Sequence, residues 1–137
     1  MTLNSVQLEV ETIVHATEDL DKIVDSLIRL LTENAPIIVE VLYGHYGNPI
    51  YRVYSFIGDK ELARNVFSAI CSSFINKENL LSTITNRVDA SGNIFIRFDK
   101  QEFVRGRLVI VDGDDVIRLR IRAVGVDTMQ FINEICK

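Results

Sequence analysis

The chain has 137 residues, 47% of them hydrophobic and 25% charged, so one domain spanning residues 1–137 can bury roughly two-thirds of its unfolded surface without staples. Its net charge of −4 argues against indiscriminate affinity for polyanions. No apolar run approaches the ~18 residues of a membrane span, and residues 1–10 lack the basic start and apolar core of a signal peptide, so a cytoplasmic protein without membrane contact is expected.

In chain order, Val6, Leu8 and Val10 alternate with polar residues, which is the pattern of a half-buried strand that His15 closes. Thr17 suits a helix N-cap, and Leu20, Ile23, Val24, Leu27, Ile28 and Leu31 recur at helical spacing, giving a helix over 18–32 that ends at Asn34-Ala35-Pro36. Two β-branched apolar runs, 37–43 and 50–57, predict strands on either side of the loop Gly44–Ile50. Gly58-Asp59 opens a second helix with a stripe of Leu62, Val66, Phe67, Ile70, Phe74 and Ile75, and 77–88 reads as a further short helix. A strand over 94–99 follows the turn cluster at 89–93. Runs 108–111 and 116–124 around Asp112-Gly113-Asp114-Asp115 read as a hairpin, and Asp127 suits the cap of a last helix. Short connections favour an α+β fold: a largely antiparallel sheet of about six strands with helices on one face, a two-layer sandwich.

The charge is unevenly spread. Residues 1–40 hold eight acids against Lys22 and Arg29, whereas residues 93–122 hold seven bases, six of them arginine, against five acids. Along the last strand Ile117, Leu119 and Ile121 face one way and Arg118, Arg120 and Arg122 the other. If Phe95 and Arg97 share that outer face, it offers planar forks for phosphate and a ring for base stacking. The competing reading pairs these arginines with Glu9 and Glu11 across the sheet.

Other features carry less chemistry. Gly44-x-x-Gly47 has the glycine spacing of the RNA-clamping loop of KH domains, but that loop joins helices and this one joins strands. Exposed His45 and Tyr46 would still stand beside free backbone amides. His15 and His45 emerge at one sheet end if their strands run parallel, which leaves a small metal-dependent hydrolase as a third reading, although no ligand-spacing motif accompanies them. Cys71 and Cys136 match no metal or redox spacing, and Cys71 is expected as a buried thiol.

The phrases IVHATED, GHYGNPIY and RVDASGNIFIRFDKQ, followed by DDVIRLRIR, together resemble the archaeal RNA-binding, exosome-associated protein family over about residues 10–124. The matching positions are His15, Glu18, Asp19, His45, Gly47, Asn48, Pro49, Arg97, Asp99, Lys100 and Gln101. The resemblance implies a fold similar to the ribosomal protein that binds 5S RNA, and a role in RNA binding or processing. No catalytic residue and no cofactor come with it. The expectation is a noncatalytic RNA-binding protein of archaeal RNA processing or degradation, with RNA and exosome- or ribosome-related proteins as partners. Arg97, Lys100, Arg118, Arg120 and Arg122 would contact phosphate, with His45 and Tyr46 at the edge. The alternative is a protein-interaction subunit that uses its acidic first helix and last helix and makes no direct RNA contact.

Overall fold

The computed structural model describes residues 4–32 and 35–136, so the expected helix stop at Asn34 lies outside the described residues. The strands are β1 (Ser5–Val14), β2 (Ile38–Tyr43), β3 (Pro49–Ile57), β4 (Asn93–Asp99) and β5 (Val116–Val124). The helices are α1 (Leu20–Leu31), α2 (Lys60–Ser73), α3 (Lys77–Ser82), α4 (Lys100–Val104) and α5 (Thr128–Ile135), with one 3-10 turn at Ile84–Asn86. The strands form one sheet in the order β2-β3-β1-β5-β4, and every pair is antiparallel. Helices pack on one face only, which is the two-layer α+β sandwich expected from the pattern.

Alternation along the strands decides which face is covered. Val6, Leu8, Val10, Thr12 and Val14 of β1 are buried under the helices, as are Ile117, Leu119, Ile121 and Ala123 of β5 and Ile94, Ile96 and Phe98 of β4. Ile23, Leu27 and Leu31 from α1, with Val66, Phe67 and Ile70 from α2, complete that core. The intervening residues line a sheet face that no helix covers. Four helices begin on an aspartate, Asp19, Asp59, Asp99 and Asp127, whose side chain accepts from a backbone N–H three residues on. Thr17 is therefore not the cap of α1; Glu18 instead folds back to accept from the His15 amide at 2.9 Å.

The sixth strand expected over 108–111 does not join the sheet. Both edges of β5 are taken, by β1 and β4, so no hairpin can form there. The segment runs instead along the outer side of β4, where Asp99 N donates to Val109 O at 2.9 Å and Val111 N to Arg97 O at 3.0 Å. Ile75 lies beyond the end of α2 and is exposed, because its amide turns to Leu108 O at 2.9 Å. Cys71 is buried as expected but is not a thiol. It is disulfide-bonded to Cys136, tying α2 to the residue that follows α5. Among the described residues no helix is long and apolar enough to cross a membrane.

Candidate nucleic-acid interface

The open sheet face is built in cross-strand rows. One row reads Ile38, Tyr54, Glu11, Arg118, Arg97 from β2 to β4, and the next reads Phe56, Glu9, Arg120, Phe95. Arginines and acids thus meet as side-by-side neighbours, where direct pairing competes with exposure to a ligand. Arg120 is paired, its guanidinium 2.6 Å from the Glu9 carboxylate. Glu11 sits beside Arg118 in register but turns the other way, to the diagonal β3 neighbour Arg52 at 3.0 Å, and Arg52 also approaches Glu40 at 3.7 Å.

That choice leaves the two halves of the face electrically unlike. On the β2–β3 side Arg52 is held by two carboxylates and lies 3.9 Å over the Tyr54 ring. On the β4–β5 side, among the described residues, Arg97, Arg118 and Arg122 have no carboxylate within ion-pair distance. Arg97 donates to Gly113 O at 3.4 Å and Arg122 to Ser91 O at 3.2 Å. Arg97 and Arg118 are direct cross-strand partners, a placement of like charges that costs energy unless an anion screens it. A shallow cavity of about 290 Å³ lies over this pair, bordered by Phe95, Glu9, Glu11 and Arg120. Phe95 is 46% exposed and also borders a second hollow of about 280 Å³ that turns round β4 to Arg87 and Asp112. The chemistry offered is guanidinium forks for phosphate beside a free aromatic ring.

Lys100 does not belong to this surface. Its side chain turns into the protein, and the residue is only 2% exposed. Nζ donates to Ile13 O at 2.7 Å and lies 3.0 Å from the Glu18 carboxylate and 2.9 Å from Asp115. All three donors are committed, so none remains for phosphate. The expectation failed because Asp99 caps α4, and the first residue of that helix is carried under the end of β1 rather than out to the open face.

His45 and Tyr46 occupy the β2–β3 hairpin tip, closed by Gly44 N to Asn48 O at 2.8 Å and Gly47 N to Gly44 O at 2.9 Å. Gly47 has φ +78°, a conformation that favours glycine there. Tyr46 is 91% exposed and meets the His45 ring edge-on. β1 and β2 do run parallel with β3 between them, so His15 and His45 share a sheet end, on strands two spacings, about 9.5 Å, apart. No group of three His, Cys, Asp or Glu able to hold a metal occurs among the described residues.

Three residues of the site escaped the sequence reading. Arg52, Tyr54 and Phe56 lie on the open face, and the signal was their alternation with buried Val53, Ser55 and Ile57. Asp115 read only as part of a turn. The Lys100 hydrogen bond holds its carboxyl below the usual carboxylate range, against a smaller opposing effect of partial burial. A carboxyl depressed by folding contributes stability that is full above its unfolded value, near 4, and is lost as pH falls through the folded value. Asp115→Asn is therefore expected to lower stability at neutral pH and to flatten its decline below about pH 5, as read by thermal melts across pH. An unchanged acid limb would remove this ion pair from the acid response.

The chain matches known proteins along most of its length. The model of a protein family described as RNA binding matches residues 7–123. The chain belongs to this RNA-binding family. Its similar relatives include the uncharacterized protein MJ0213 of Methanocaldococcus jannaschii, 35% identical over 124 residues, 85% of this chain and 81% of that one. The RNA-binding protein PAB1135 of Pyrococcus abyssi is 32% identical over 128 residues, 88% of this chain and 82% of the relative. Among solved structures, protein SSO0741 of Sulfolobus solfataricus superposes with a TM-score of 0.78 at 32% identity, covering 94% of this chain and 93% of its own.

Proposed function

We propose that the protein binds RNA, without catalysis, on the β4–β5 half of its open sheet face. The observation that carries this reading is the Arg97–Arg118 pair: two arginines facing each other across strands, neither within ion-pair distance of a carboxylate, under a cavity edged by an exposed phenylalanine. Backbone phosphate would supply the missing counter-charge, and Phe95 would stack a base. Arg122 extends the phosphate track along β5, and Arg120 joins it by releasing Glu9. His45 and Tyr46 stand at the far edge as secondary contacts. The family match and the RNA-binding relative from Pyrococcus support the same class of ligand. The setting, RNA processing or degradation alongside exosome- or ribosome-related proteins, is the outer part of the proposal and rests on the family resemblance.

Salt-titrated binding to a labelled single-stranded RNA tests the face. Each phosphate contact contributes about 0.7 to the slope of log K against log salt, so the triple variant Arg97→Gln, Arg118→Gln, Arg122→Gln is expected to flatten it by about 2. Phe95→Ala should weaken binding by about 1–3 kcal/mol at every salt concentration, the worth of one stacked base. Binding that is untouched by both variants removes this surface. An intact protein that binds no RNA points instead to the protein-interaction role.

A further inference from the structure

The two edges of the sheet are treated differently by the chain. The β4 edge is covered: Phe95 N donates to Arg87 O at 2.7 Å, and residues 109 and 111 bond along its other half. The β2 edge has no such cover among the described residues, and its only defence as an exposed edge is the charge of Glu40, since the strand IVEVLY contains no lysine, proline or bulge. It is also apolar on both sides. Ile38, Val39, Val41, Leu42 and Tyr43 are all exposed, Tyr43 by 74%.

We infer that β2 pairs antiparallel with β2 of a second copy of this chain, joining two five-stranded sheets into one across a two-fold axis at Val41. The hydrogen-bond phase sets which groups are free. Gly44 N bonds to Asn48 O, and bonded pairs alternate along an antiparallel ladder, so Leu42, Glu40 and Ile38 bond inward to β3. Val39, Val41 and Tyr43 therefore turn their N–H and C=O groups outward. A symmetric antiparallel partner must bond through the same odd-numbered residues, which leaves few registers.

Overlap and charge select among them, since only an axis on Val41 pairs all three outward-bonding residues with one another. Centring the axis on Glu40 sets that carboxylate directly against its own copy, with like charges opposed at the closest type of pair. Centring it on Val41 places Glu40 opposite the copy's Leu42, with Arg52 of the same chain still 3.7 Å from the carboxylate. On the helix side the same register lays Val41 on its own copy and Val39 on the copy's Tyr43, an apolar stripe that complements itself. The strand's one charge keeps Arg52 of its own chain as a neighbour, and the stripe of Val39, Val41 and Tyr43 is what a copy of itself would cover.

The inference does not depend on RNA binding, and it is tested without RNA. Light scattering and sedimentation equilibrium of the full chain are expected to give twice the monomer mass. Val41→Lys, which sets two ammonium groups on the axis, should return it to the monomer with an unchanged circular dichroism spectrum. Tyr43→Lys, at a still more exposed position, is the second variant should the first disturb the fold. Under mild oxidation Val41→Cys should form an intermolecular disulfide, because a bonded pair on the axis holds its Cα atoms about 5.5 Å apart, within disulfide reach. A wild-type chain that stays monomeric at concentrations well above micromolar overturns the proposal, as does a dimer indifferent to both lysine substitutions. Crosslinking through Glu40→Cys in preference to Val41→Cys overturns the register.

Discussion

Replacing Lys100 with alanine is expected to lower stability by about 3 kcal/mol, the low end of the cost of breaking a buried charge pair. The ammonium joins three parts of the chain: the C-terminal end of β1 through Ile13 O, the turn before α1 through Glu18, and the turn before β5 through Asp115. Without it, Ile13 O loses a charge-assisted donor, and the largely buried Glu18 carboxylate loses its counter-ion while remaining bound to the His15 amide. Asp115 suffers less, since its side chain is 55% exposed and can turn to water. This difference keeps the expected figure below the upper end, about 5 kcal/mol. Lys100→Met, which preserves most of the buried stem, should recover part of the packing but not the electrostatic loss. Urea unfolding of the two variants separates these contributions. A change below about 0.5 kcal/mol in Lys100→Ala, the range of ordinary surface substitutions, would show that the cluster is idle.

The same cluster shows where sequence reading succeeds and where it stops. The layer architecture was legible because alternation in β1, β4 and β5 and helical spacing in α1 and α2 are local consequences of one covered face. The face of Arg118, Arg120 and Arg122 followed from the same alternation. Which of these arginines is free was not legible, because Glu11 has two cross-strand neighbours and only the order β3-β1-β5 sets Arg52 against Arg118 as rival partners. Lys100 reads as a surface base beside Arg97, yet one helical turn capped by Asp99 carries it under the sheet's end toward a carboxylate 82 residues away in sequence. The segment 108–111 has the composition of a strand. Its fate depends on whether β5 has an edge to spare, a property of the assembled sheet alone. The lopsided charge becomes interpretable only in three dimensions: acidic Asp21 and Asp25 are exposed on the helical layer, whereas the unpaired arginines lie on the opposite side.

Removing the Cys71–Cys136 bond is expected to cost about 4 kcal/mol, from the loop-closure entropy of a 65-residue separation. Two Cα atoms 5.3 Å apart lie within the normal disulfide span, and both residues are buried, so the bond closes a loop that packing already brings together. That loop contains β4 and β5, hence the whole proposed RNA face, and its closing element α5 is otherwise held to α2 by apolar contacts such as the stacked Phe67 and Phe131 rings. Reduction acts chiefly on the unfolded chain, which regains the freedom of the long loop, while alanine at both positions adds a modest packing loss. Denaturant midpoints should therefore fall when reductant is added to the wild type, fall somewhat further in Cys71→Ala, Cys136→Ala, and be indifferent to reductant in that variant. A wild-type midpoint that reductant leaves unmoved would mean the bond contributes nothing to stability. RNA binding measured well below the unfolding transition should survive the double substitution, because the disulfide lies in the helical layer and the arginines project from the other side of the sheet. Loss of binding in a folded double variant would place the decisive contacts among the helices and overturn the assignment to the open face.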